Sequence, residues 1–123
     1  MDAIKLPHHH GDEEHEAHLK AHLEHSDSFE VAADVFKQLS DATRIRVFWL
    51  LCHCEECVAN VSALVNMTSP AVSHHLKQLK AANLITSRRA GREVYYRAAD
   101  TEEAKLLHQA IERIIAISCP IQK

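Results

Sequence analysis

The apolar period of this chain changes abruptly at Asn83, and few folds accommodate what lies on either side. Upstream, hydrophobic residues recur at helical spacing: Val58, Val61, Leu64 and Val65, then Val72, Leu76 and Leu79. The first set predicts a short helix over roughly Glu56 to Val65 and the second a helix from Pro70 to Ala82, with only Asn66-Met67-Thr68 between them. Ser69 offers a capping hydroxyl just before Pro70, and proline suits the first helical position because it has no N–H to leave unsatisfied. Downstream, Leu84–Arg89 and Glu93–Arg97 read as two strands joined by Ala90-Gly91-Arg92, with Tyr95 and Tyr96 favouring extended backbone.

Two short helices, a three-residue turn and a basic hairpin describe a winged helix-turn-helix, mainly α with a small β-hairpin wing. The flanking segments add helices. One runs from near Ser28 to Leu39, with Phe29, Ala32, Ala33, Phe36 and Leu39 in a stripe. Ser40-Asp41 caps another, which carries Ile45, Phe48, Trp49, Leu50 and Leu51 inward and ends around Cys52–Glu55. The last, Thr101 to Ser118, shows Leu107, Ala110, Ile111, Ile114 and Ile115 flanked by Leu106 and Ile117, a stripe wider than one small core needs. At 123 residues with only two glycines and three prolines, the chain predicts a single helix-rich domain over 28–123. Residues 1–27 read as a separate His-rich arm: a mobile tail over 1–11, then a helix over 12–25 that sets His15, His18, His22 and His25 on one face. No apolar run approaches the roughly 18 residues a bilayer span needs, so no membrane association is expected. The N-terminus lacks the pattern of a secretion signal, and a cytoplasmic address follows.

The formal charge of -3 hides a strong asymmetry. Over residues 1–30, Lys5 and Lys20 face eight acids, whereas over 69–97 Lys77, Lys80, Arg88, Arg89, Arg92 and Arg97 face Glu93 alone. Phosphate binding follows local cation density, not the sum over the chain. On the second helix of the pair, Val72, Leu76 and Leu79 point inward, which leaves Ser69, Ser73, His74, Lys77 and Gln78 to enter a major groove of double-stranded DNA. Arg88, Arg89 and Arg92 at the hairpin tip can reach phosphates or the adjacent minor groove.

At these residues a resemblance becomes specific. Leu39-Ser-Asp-Ala-Thr-Arg-Ile-Arg46, Ser69-Pro-Ala-Val-Ser-His-His-Leu-Lys-Gln-Leu79 and Gly91-Arg-Glu-Val-Tyr-Tyr96 resemble, in unbroken order, the ArsR/SmtB family of metal-sensing repressors. The resemblance implies a winged helix dimerised through its N- and C-terminal helices, a homodimer reading an inverted-repeat operator with one half-site per recognition helix. Its effector patterns are only partly kept. A Cys-x-Cys-Asp run corresponds to Cys57-Val58-Ala59-Asn60, which keeps one thiol, and of the donors on the last helix Asp100 remains while Glu102, Arg113 and Ala116 replace the others.

Three of the four cysteines are crowded as Cys52, Cys54 and Cys57, and in a reducing compartment such crowding points to metal or redox sensing before a structural disulfide. The Cys54-x-x-Cys57 spacing lets two sulfurs reach one ion, with Cys52 as a third donor and an arm histidine or Cys119 as further candidates. Thiolates favour Zn(II) or Cd(II), with Pb(II), Cu(I) and As(III) as other soft choices. His108 and Glu112, four apart, could make a weak site of their own or be ordinary surface residues, while His53, His74 and His75 read as DNA-facing or packing groups. Two alternatives stay open: a thiol-based redox or persulfide sensor on the same fold, and a His/Cys metal-buffering protein. No catalytic motif is present, so no enzymatic activity is expected.

Overall fold

The computed structural model describes residues 5–8 and 10–118. Cys119 lies outside them, as does part of the expected N-terminal tail. The chain divides into two compact units, Met1–Asp34 and Val35–Lys123.

In the first unit, helix α1 spans Glu13–Leu23, with the Asp12 carboxylate accepting from Glu14 N–H at its start. It buries none of its residues. The His18 and His22 rings meet at 4.6 Å between centroids, tilted by 59°, as their spacing of four predicts. Helix α2, Ser26–Gln38, begins in this unit and ends in the next.

The second unit contains α3 (Ala42–His53), a two-residue strand β1 (Glu56–Cys57), α4 (Val58–Val65), α5 (Ser69–Ala81), the hairpin β2 (Ile85–Ala90) and β3 (Glu93–Ala98), and α6 (Glu102–Ser118). The core is the apolar face common to these elements: Val47, Phe48 and Leu51 of α3, Val61 and Val65 of α4, Val72, Leu76 and Leu79 of α5, then Leu84, Ile85, Ala104 and Ile111. The helical period holds throughout α5 and, apart from Leu64, in α4, whereas Phe29, Ala32, Ala33 and Phe36 of α2 and Leu106, Ala110, Ile114, Ile115 and Ile117 of α6 are exposed. Leu64 differs: expected inward, it is 59% exposed and lines an apolar groove of about 370 Å³ with Ile45, Trp49, Leu50 and Ile115. Trp49, also expected inward, lies at the edge of the core, its indole N–H donating to Glu112 Oε2 at 3.0 Å.

Local chemistry sets the boundaries. Asp41 accepts from Arg44 N–H at 2.9 Å and starts α3. At α5 the cap is Thr68, whose Oγ1 accepts from Ala71 N–H, so Ser69 and Pro70 are already helical and the Ser69 hydroxyl instead lies 3.3 Å from Ser62 Oγ. Between α4 and α5, Asn66 takes the left-handed conformation (φ 57°) that closes a helix, a conformation asparagine adopts more readily than most residues. The wing closes more tightly than expected: Ala90 pairs with Glu93 across a two-residue turn, with Gly91 at φ 64° in the position that favours glycine.

Strand β1 was not foreseen. Glu56 and Cys57 pair antiparallel with Tyr96 and Tyr95, giving a three-stranded sheet in the order β1-β3-β2 and delaying α4 to Val58. A two-residue strand is too short to show a period, which is why the helical pattern seemed to extend back to Glu56.

A partly buried polar contact joins three helices. Arg44 donates through Nη1 to the Gln38 carbonyl and side chain and through Nε to Nδ1 of buried His75. Burial pushes the His75 pKa below its usual value and Arg44 and His74 push the same way, against the attraction of Asp41. A depressed histidine pKa means the unfolded chain binds the proton more readily, so stability is full above about pH 6.5 and falls as pH drops below it. Urea denaturation between pH 7.5 and 5 should show this slope, and His75→Gln should flatten it.

Candidate nucleic-acid interface and metal centre

Helix α5 presents Ser69, Ser73, His74 and Lys77 to solvent, with Gln78 half-buried beside them, while Val72, His75, Leu76 and Leu79 anchor it. The hydrogen-bonding side of the helix is thus held by a rigid apolar side, the arrangement a major groove requires. Of the adjacent histidines, the structure separates one buried packing group, His75, from one exposed group, His74. Lys80 Nζ donates to Ser87 Oγ at 2.7 Å and ties the end of α5 to the wing.

Arg89 and Arg92 are exposed at the wing. Arg88 is engaged. Its guanidinium makes a two-point contact with Glu55, at 2.8 and 2.7 Å, and lies 5.1 Å over the Tyr95 ring. The paired charges hold Glu55 below and Arg88 above their ordinary pKa values.

The cysteines occupy three different environments. Cys52, on the last turn of α3, is half-buried, and desolvation together with the nearby Glu112 charge raises its pKa to about 11. Cys54 follows the helix, its thiol donating to the Leu50 carbonyl at 3.4 Å, and burial and Glu56 raise its pKa as well. Cys57 is buried in β1. Cys52 and Cys54 share the wall of a cavity of about 410 Å³ with Glu55, Arg97, Asp100 and His108. Thiolates, not thiols, attack electrophiles, so burial and the Glu112 charge work against Cys52 as a nucleophile.

Among the described residues, one group of three or more potential ligands has its donor atoms within 4.8 Å of one another: His53, His108 and Glu112. The cysteines therefore do not form a ready-made three-sulfur site, and α1 does not gather three of its histidines around one point. The pairing of His53 with residues 108 and 112 was invisible in the sequence, since it depends on α6 crossing the end of α3. Only the spacing of His108 and Glu112 hinted at it.

A winged helix with a polar helix face and a basic hairpin is the architecture of DNA-binding transcriptional regulators. Residues 41–87 match the family model described as bacterial regulatory protein, arsR family. The chain is 33% identical over 88 residues to a transcriptional repressor SmtB homolog from Synechocystis, covering 72% of this chain and 67% of that one. It is 35% identical over 81 residues to the HTH-type transcriptional regulator KmtR of Mycobacterium tuberculosis, covering 66% of this chain but 62% of the relative. In three dimensions it resembles the homodimeric winged helix-turn-helix DNA-binding domain of Mb0332 from Mycobacterium bovis, with a TM-score of 0.66 and 27% identity over 72% of this chain and 82% of that one. This chain belongs to the ArsR/SmtB family of metal-responsive transcriptional repressors.

Proposed function

We propose that this protein is a homodimeric repressor that binds an inverted-repeat operator and releases it when a thiophilic cation, Zn(II) or Cd(II) foremost, is captured beside the wing. Residues 28–123 supply the DNA-binding and dimerisation domain and residues 1–27 the arm. Ser69, Ser73, His74, Lys77 and Gln78 read the major groove, and Arg88, Arg89 and Arg92 hold the backbone. The homodimeric relative supports self-association, as do the exposed Phe36, Leu106, Ile114 and Ile117, since an apolar stripe on both ends of a small domain is more stable covered by a second copy.

What carries the release mechanism is the stitching of the cysteine segment to the wing. Cys54 precedes Glu55, which clamps Arg88, and Cys57 sits in β1, which pairs with β3. Cys54 and Cys57, with Cys52 as a third donor, would hold the cation, whose role is to draw the sulfurs together. Because these thiols are not preassembled, capture must shift the 54–57 segment, and the wing shifts with it. A ligand changes an equilibrium only by binding one conformation better than another. A coupling of about 1–3 kcal/mol, usual for allostery, weakens operator binding roughly 5- to 150-fold.

An operator selected in vitro from random duplexes, followed by anisotropy titration with and without Cd(II), tests this. Cys54→Ser combined with Cys57→Ser should preserve operator affinity and abolish release. Release undiminished in that double variant would remove the cysteine segment as the sensor.

A further inference from the structure

We infer that His53, His108 and Glu112 form a second metal site, selective for a borderline divalent cation such as Zn(II), Co(II) or Ni(II), that pins α6 to the end of α3. It uses no sulfur and goes beyond the release mechanism above. The three donor atoms form a nearly equilateral triangle: His53 Nε2 to His108 Nε2 is 3.1 Å, His53 Nε2 to Glu112 Oε2 is 3.2 Å, and His108 Nε2 to Glu112 Oε2 is 3.3 Å. Tetrahedral Zn–N and Zn–O bonds of about 2.0–2.1 Å separate neighbouring donors by about 3.3 Å. One ion therefore fits the existing triangle without rearranging it.

The chemistry agrees with the geometry. Two imidazole nitrogens turned toward each other can share only one proton when neutral, so at least one presents a lone pair that a cation can take up in place of that proton. Imidazole with carboxylate suits Zn(II), Co(II) and Ni(II), whereas As(III) and Cu(I) demand sulfur. The Trp49 indole N–H donates to Glu112 Oε2 and its ring meets His53 at 4.5 Å between centroids, the planes tilted by 48°, which orients two of the ligands from outside the donor set. Three protein donors leave a fourth position for water, and the side chains of His53 and Glu112 are nearly half exposed, so the site opens to solvent. Since the donors already stand in place, binding favours the conformation described here and acts as a clamp. The cysteine segment, which must move to bind, is the part that switches.

Trp49 is the sole tryptophan and touches two of the ligands, so it reports on this site directly. Co(II) is the probe, added to the reduced full-length protein without DNA while tryptophan emission and the ultraviolet thiolate charge-transfer band are followed together. Saturable quenching of Trp49 is expected, reversed by Zn(II). In H53Q and in H108Q, each checked for native circular dichroism, the concentration for half-quenching should rise at least tenfold while the thiolate band is unchanged. Absence of saturable quenching in the unaltered protein overturns the inference, and so does quenching that survives both variants. Neither result bears on operator release, which involves the cysteines and is read separately.

Discussion

Phe48→Ala should lower the unfolding free energy by about 3–5 kcal/mol, the range for emptying a phenylalanine site in a packed core. Phe48 is 0% exposed and lies in α3 between the buried Val47 and Leu51, at the level where α4 and α5 pack. Its removal costs both the transfer energy of the ring and the cavity that the surrounding helices cannot fully close. Small domains hold only about 5–15 kcal/mol in total, so the variant stands near the limit of folding. Urea denaturation at matched protein concentration measures this as a lower midpoint at unchanged slope. Phe36→Ala is the contrast: the ring is 65% exposed, so within one protomer the loss should be much smaller. Equal losses would mean that α3 does not organise the core as described.

Replacing Lys77, Arg89 and Arg92 together by alanine should nearly abolish operator binding. All three are exposed, on α5 or the wing; in the function proposed above Lys77 reads the groove, while Arg89 and Arg92 each neutralise one phosphate per protomer. A dimer without the four wing cations would show a slope of log affinity against log salt shallower by about 3.6, at roughly 0.9 per phosphate. Near 0.1 M salt the affinity should fall by at least ~10³-fold. Thermal stability should hold, because none of the three side chains is buried. Titrations across several salt concentrations separate this from misfolding. A salt slope unchanged in the triple variant would show that DNA meets another face of the molecule.

Much of this architecture could be read from the sequence because the helical period is long and the turn chemistry local. Val72, Leu76 and Leu79 define the buried face of α5, and through it the face left for DNA. The hairpin announces itself by alternation and by Gly91. What escaped notice was short or distant. Thr68 and Ser69 are chemically equivalent caps, and only the backbone decides between them. Leu64 reads as core because its apolar character is real, yet it lines a groove on the surface. Glu56 and Cys57 acquire strand character from Tyr95 and Tyr96, nearly forty positions away. The same holds for His53, whose neighbours in sequence suggest packing or DNA contact while its neighbours in space are His108 and Glu112.

The clamp between Glu55 and Arg88 changes what the wing can gain from salt. A free surface cation that meets a phosphate simply liberates a condensed counterion from the duplex. Arg88 already has its anion. Handing its guanidinium to a phosphate strands the Glu55 carboxylate, which then recruits a cation of its own from solution. One ion leaves the DNA as another joins the protein, and the exchange is close to neutral in dissolved electrolyte. Arg88 can therefore orient the hairpin on the backbone while adding little to the ionic-strength dependence, so a count of wing arginines overstates how steeply binding weakens in brine.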